Sequence, residues 1–129
     1  MTLLLASGSK TRAEILKKAK ISFKVVDHGV DEEELKISLN ELNPKDISIQ
    51  LSEIKAIKPS MKYFEEFVVG ADQVLDFNGS LINKAANLQE AKNQLLDLSG
   101  KTHKLITAIT IAKNGSVVWK HYDVAKITM

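Results

Sequence analysis

The chain contains no cysteine, which removes disulfide bonds and thiolate metal sites from its repertoire. The same absence is compatible with the cytosol, and a cytoplasmic protein is the expectation. No apolar stretch approaches the roughly 20 residues of a membrane span, and the apolar opening of residues 1–6 is too short for a signal peptide. Aromatic residues make up only 5% of the chain. Trp119 and Tyr122 do not make the stacking platform that an RNA-binding domain would use. A basic block is missing too. The net charge of +2 comes from interspersed Lys, Glu and Asp, so long-range attraction to nucleic acid has little support. The expected partners therefore include neither nucleic acid nor a membrane, while a local anion site stays open.

What is present suits one globular domain over residues 1–129. Hydrophobic residues at 44% and charged residues at 26% are the balance of a chain that buries a proper core. Leu3 to Leu5 reads as a buried strand, and Ala13, Ile15, Leu16 and Ala19 give a helical apolar face after it. Ser22 to Val26 alternates as a second strand, followed by the acidic loop DHGVDEEELK leading into a polar helix. Asn43-Pro44 starts a helix whose stripe of Ile47, Leu51 and Ile54 runs until Pro59. Phe67 to Val69 is a strand continuing through Gly70-Ala71-Asp72-Gln73 to Phe77. Asn78-Gly79 and Asn114-Gly115 are hairpin signals, because both residues of each pair tolerate positive φ. Between the hairpins, Asn87 with Glu90 resembles a capping box for a helix with Leu88, Ala91, Leu95 and Leu98 on one face, closed by Gly100. His103 to Ala112 and Ser116 to Met129 complete the strands. The pattern predicts an α/β domain built on a mixed β-sheet with flanking helices and a cleft. The chain stops inside a strand pattern, so a fragment is the expectation.

The run ASGSKTR offers Ser7, Ser9 and Thr11 as helix caps where one would suffice. The surplus points to backbone N–H groups held for an anion at a helix N-terminus, with Arg12 supplying a planar fork of donors for phosphate. An ordinary cap beside a solvated Arg is the competing reading. In VVGADQV, Asp72 follows a buried strand and two small residues, where a crevice outside strand ends commonly takes ligands. A turn aspartate bonding nearby backbone is the plain alternative. A tight Asn78-Gly79 turn brings Lys84 back to the same end, opposite Gln73 or, with a bulge, opposite Asp72. A carboxylate beside Lys84 is expected to stay ionised at neutral pH. Lys55 flanks the stripe of its helix and on spacing alone reads as a stem covering apolar surface. One carboxylate of Asp31 to Glu34 suits Mg²⁺, which takes few protein ligands. His28, His103 and His121 show no zinc spacing and are read as structural.

Taken together, these blocks resemble the Maf family of nucleoside triphosphate pyrophosphatases. LLLASGSKTR is similar to the family's Ser-x-Ser-Pro-Arg-Arg after a strand, LSEIKA to Leu-Ala-x-x-Lys-Ala, and VVGADQV to Gly-Ala-Asp-Thr. LINKA resembles Leu-Gly-Lys-Pro, and LSGKTHKLITA resembles Leu-Ser-Gly-Lys/Arg-x-His-x-x-x-Thr-Ala. The resemblance implies a Maf/inosine triphosphatase-like fold and hydrolysis of a nucleotide to monophosphate and pyrophosphate, clearing non-standard or modified nucleotides. It also implies a divalent cation, Mg²⁺ or Mn²⁺, and is compatible with a homodimer. Carried over by position, Asp72 is the general base. Ser7, Ser9, Arg12, Lys55 and Lys84 bind phosphates, and Glu32 assists the metal or the water. Thr11 and Gln73 depart from the common Arg and Thr at positions linked to base selectivity. Gln at the second of these occurs in the branch acting on 7-methyl-GTP. The family's C-terminal portion, with a Gln-containing segment bordering the base pocket, lies beyond these residues. The alternative held open is a non-catalytic nucleotide-binding regulatory module.

Overall fold

A computed structural model describes residues 3–83 and 85–129. In chain order the elements are β1 (Leu3–Leu5), α1 (Lys10–Lys18), β2 (Phe23–Val25), α2 (Glu32–Ser38) and α3 (Pro44–Ser60). They continue with β3 (Phe67–Phe77), β4 (Ser80–Ile82), α4 (Leu88–Leu98), β5 (Thr102–Lys113) and β6 (Ser116–Thr128). The strands form one mixed sheet in the order β2-β1-β3-β5-β6, with β4 also paired to β3. β1 runs parallel to both β2 and β3, whereas β3, β5 and β6 form an antiparallel meander.

Each helix begins on a polar side chain that answers an orphan N–H of the first turn. Ser9 accepts from Arg12 N, Asp31 from Glu34 N, Asn43 from Asp46 N and Asn87 from Glu90 N. Of the surplus caps in ASGSKTR, then, Ser9 is the one used, and Thr11 sits inside α1. Both Asn-Gly pairs turn as expected. Asn78 and Gly79 have φ of 54° and 86°, Asn114 and Gly115 have 52° and 80°, the positive-φ pair of a type I′ hairpin. Phe77 accordingly pairs with Ser80 and Lys113 with Ser116. Pro59 falls inside the last turn of α3 rather than after it; near a helix C-terminus its missing N–H breaks no more than one bond of the ladder.

The core lies between the sheet and α3. Leu4, Ala6 and Val68 form its centre. On α3, Ser48, Ser52, Ala56 and Ser60 recur every fourth residue and are all buried, so a stripe of small side chains faces the strands. Small residues let the helix approach closely. A Cβ on Gly70 of β3 would stand 2.5 Å from Ala56 N and 2.6 Å from Ser52 O, so only glycine admits the helix backbone at this depth. Ser52 Oγ also meets Thr110 Oγ1 of β5 at 2.8 Å, both buried. By contrast, the apolar stripe expected on α4 is largely uncovered. Leu98 is buried but Leu88 is 87% exposed, because no other described element packs on that side.

Candidate active site

Strand β3 is longer than its neighbours on one edge, and this makes the site. Along its other edge it pairs with β5 from Val68 to Asp76. The first edge carries β1 against Phe67, Val68 and Val69, and β4 against Leu75, Asp76 and Phe77. Among the described residues, Gly70 to Val74 have no strand partner there. The backbone of Val69 turns to this edge, since its carbonyl accepts from Ala6 N at 2.9 Å. Alternation then aims the backbone groups of Ala71 and Gln73 into the gap. Asp72 lies at its centre. The sequence reading set Asp72 after a strand; it is in fact within β3, and the strand end that opens the crevice belongs to β1.

Burial and charge concentrate beside the gap. Asp72 and Lys55 are each 5% exposed. Lys55 Nζ donates to Asp72 Oδ1 at 3.0 Å and reaches the Ala71 carbonyl at 3.5 Å. It also pairs with Glu32 Oε1 of α2. One ammonium thus bridges two carboxylates. Lys55 stands on the buried stripe with Ile47 and Leu51, at i, i+4 and i+8, not beside it. The reading of its stem as a surface cover is therefore corrected: Gly70 lets the helix lie close against β3, and Lys55 is buried between them. The loop leading to Glu32 is itself pinned, because Lys58 Nζ donates to the Gly29 carbonyl. His28 Nδ1 there accepts from Val30 N at 2.9 Å, a local structural bond.

The two carboxylates respond in opposite directions. Burial pushes Asp72 up, Lys55 opposes that, the Glu32 charge adds to it, and the net shift is upward. Burial would raise Glu32 as well, but its bond to Lys55 and the charges of Lys55, Lys36 and His28 hold it below its ordinary value. Asp72 Oδ2 is buried and has no hydrogen-bond partner among the described residues. A buried carboxylate oxygen without a partner is costly, so this atom is suited to a water or a cation. The cation set against Asp72 is Lys55. Lys84, expected there, lies outside the described residues.

Across the sheet a second site takes the remaining residues. Asp72 and Gln73 are consecutive on an extended strand, so their side chains leave opposite faces. Gln73 enters a pocket of about 400 Å³ between α1 and the sheet, which Thr11, Arg12, Leu5, Thr107 and Ile109 also line. At its rim Ser7, buried past the end of β1, accepts from Arg12 Nη1 at 2.9 Å and from Ser9 N at 3.2 Å. The N–H groups of Lys10 and Thr11 have no acceptor within the helix. Ser7, Ser9, Thr11, Arg12 and Gln73 are thus one group, while Asp72, Lys55 and Glu32 are another. Thr107 was not singled out from the sequence. It falls on the Thr of the LSGKTHKLITA block, and the Gln73–Thr107 pairing of β3 with β5 sets it beside Gln73.

Comparison with known proteins identifies the family. The family model described as Maf-like protein matches residues 2–129. A nucleoside triphosphate pyrophosphatase of Caulobacter vibrioides is 44% identical over 127 residues, covering 97% of this chain and 63% of that protein. A 7-methyl-GTP pyrophosphatase of Bartonella henselae is 40% identical over 118 residues, covering 92% of this chain and 60% of that protein. The chain spans 60 to 66% of the length of the curated relatives it matches. Among solved structures, a HAM1 protein from Coxiella burnetii superposes with a TM-score of 0.63 at 13% identity, covering 98% of this chain and 71% of that one. At that identity the likeness concerns the fold, and the α/β fold with a mixed sheet is the one expected. With that family model matching residues 2–129, nearly the whole chain, the chain belongs to the Maf-like protein family.

Proposed function

We propose that this protein is a nucleoside triphosphate pyrophosphatase, cleaving a nucleotide between its α- and β-phosphates, and that residues 1–129 are one domain carrying the catalytic groups. The observation that carries the reading is the buried Asp72–Lys55–Glu32 array in the open edge of β3, with Asp72 Oδ2 left for a ligand. The names of its relatives, nucleoside triphosphate pyrophosphatase and 7-methyl-GTP pyrophosphatase, support it. Nothing specific favours a non-catalytic nucleotide-binding module.

Each residue has a part in that reaction. Asp72 Oδ2 takes a proton from water as the water oxygen bonds to phosphorus; the bridging P–O bond breaks and pyrophosphate leaves with its electron pair. A carboxylate raised by burial is a stronger base than a solvated one, and Lys55 keeps it in the ionised form that accepts a proton. Lys55 and Arg12 offer positive charge to the phosphates as charge develops on their oxygens. Ser7 holds Arg12 in place, and Ser9 keeps the first turn of α1 open toward an anion. Lys84 is assigned to the phosphates with them. The triphosphate spans the gap from the α1 face, where Thr11 and Gln73 meet the base, to the α3 face, where Asp72 waits.

Glu32 and Asp72 fit a divalent cation. Among the described residues no group of three or more His, Cys, Asp and Glu side chains converges, which argues against an all-protein cage. Two carboxylates and substrate phosphates are what Mg²⁺ or Mn²⁺ commonly accepts. When bound, such an ion supplies charge neutralisation on the phosphate oxygens. The expected substrates are cytoplasmic non-standard or modified nucleotides.

Product analysis tests the proposal. A panel of standard and methylated triphosphates with Mg²⁺ is expected to give one monophosphate and one pyrophosphate per turnover, and chelation is expected to stop it. Release of orthophosphate with a nucleoside diphosphate would contradict the assignment of the scissile bond.

A further inference from the structure

Resting on the nucleotide reading above, we infer that Ser48 is a positioning residue for the general base, which ties the main chain of Asp72 to α3 so that the Lys55 ammonium meets one carboxylate oxygen and leaves the other to the water. A serine inside a helix commonly turns its hydroxyl back to a carbonyl of its own helix. Two serines of the buried α3 stripe do so. Ser52 Oγ donates to the Ile49 carbonyl at 2.8 Å and Ser60 Oγ to the Ile57 carbonyl at 2.7 Å. Ser48 does not. Its hydroxyl, fully buried, crosses to β3 and donates to the Asp72 carbonyl at 3.2 Å. Alternation along β3 turns the main chain of Asp72 toward β5, where its ladder partner is Ala108. The bond from Ser48 therefore comes in addition to the ladder, on an oxygen with two lone pairs. The strand does not need it for satisfaction, and what it adds is placement.

Ser48 and Lys55 stand two turns apart on one face of α3. Both hold Asp72, Ser48 by its carbonyl and Lys55 by Oδ1 at 3.0 Å. Between these two residues and just beyond, the helix main chain comes close to β3 at Gly70, opposite Ser52 to Ala56. One close contact by itself is a pivot. The bond at Ser48, a turn nearer the helix N-terminus, stops α3 from swinging about it and sets how far Lys55 must reach back along the helix. That reach matters because the ammonium has other acceptors, Glu32 Oε1 and the Ala71 carbonyl. An Asp72 that drifts from α3 loses Lys55 to them, and Oδ2 loses its fixed aim. Ser48 touches no reacting atom; it acts through Asp72.

Steady-state kinetics on the full chain tests this, with pyrophosphate release from the panel of triphosphates above. Ser48→Ala is expected to lower kcat about tenfold, the scale of one hydrogen bond made or lost, with KM at the wild-type value. Ser48→Cys, close to serine in shape but a weak donor, is expected to do the same, and it carries the comparison should the alanine variant not fold. In the Asp72→Asn background Ser48→Ala is expected to lower turnover no further, since the carboxylate it places is gone. Ser60→Ala removes another buried hydroxyl of the stripe, one that accepts from Gly115 N at 2.9 Å. It is expected to cost stability in urea and to leave turnover unchanged. Wild-type turnover in Ser48→Ala or Ser48→Cys, a loss that appears in KM alone, a further fall in the Asp72→Asn background, or an equal fall in Ser60→Ala would each overturn the role of Ser48 while leaving the nucleotide reading intact. A wild type that releases no pyrophosphate from any triphosphate of the panel would overturn the nucleotide reading, and this inference with it.

Discussion

Asp72 and Glu32 share the ammonium of Lys55, and each feels the other's charge through it. The Glu32 charge raises Asp72 and Lys55 lowers it. Removing that charge by Glu32→Gln, which also leaves Lys55 to Asp72 alone, is expected to move the Asp72 midpoint down. Lys55→Met is expected to move it up. Carboxyl ¹³C NMR of Asp72 reads both shifts, and a midpoint unmoved by either change would show that the three groups are uncoupled. The acid limb of activity, which needs ionised Asp72, should lie above the ordinary aspartate range and follow these shifts. For stability the signs oppose each other. Asp72, raised in the fold, favours folding below its unfolded pKa and loses that contribution as pH rises through its folded value. Glu32, lowered, favours folding above its unfolded pKa and loses that as pH falls through its folded value. Sequence alone singled out Asp72, Arg12 and the two serines from their residue types and their neighbours. Spacing misread Lys55, which only the resemblance set among the site residues; its burial follows from the depth of a helix that no periodicity measures. The sequence held Thr107 only as part of the LSGKTHKLITA block, because its cross-strand partner Gln73 lies far away in sequence.

Among the elements, α3 and β3 decide the geometry of the site. Their contact is backbone on backbone at Gly70, where an added Cβ would lie within 2.9 Å of three atoms of the helix main chain, Ala56 N, Ser52 O and Lys55 C. Those atoms cannot rotate away. Gly70→Ala is therefore expected to cost about 1–3 kcal/mol in chemical denaturation, as overpacking does, and to displace Lys55 from Asp72 with loss of activity. Stability equal to wild type would show that the helix has room to move. The helices and hairpins were the most legible features, because their signals are local: Ser9, Asp31, Asn43 and Asn87 cap as polar residues ahead of apolar periodicity should, and the Asn-Gly pairs turn. The open edge of β3 was not legible. It arises from the unequal lengths of β1, β3 and β4, which depend on pairings between distant segments.

Over the whole molecule, the described residues bring the proposed catalytic groups to one sheet while leaving other surfaces bare. β6 is exposed along all 13 residues, and Leu88, Leu95 and Leu96 of α4 are exposed as well. The chain spans less than two thirds of the length of the relatives quoted above, so the proposed activity belongs to the groups this chain carries. The order of its motifs made the family legible, because five short blocks in sequence are far more specific than any one. The departures at Thr11 and Gln73 pointed to base selection without saying how it is done, since that needs the pocket and its hydrogen bonds. The central claim is that Asp72, held in the gap by Lys55, activates the water that cleaves the anhydride. Pyrophosphate release by Asp72→Asn beside wild type, with nucleotide affinity measured on the same preparations, tests it most directly. The account predicts a fall in turnover of roughly 10²–10⁴-fold, the range of general-base catalysis, with nucleotide binding retained. Pyrophosphate release at the wild-type rate from Asp72→Asn would contradict it.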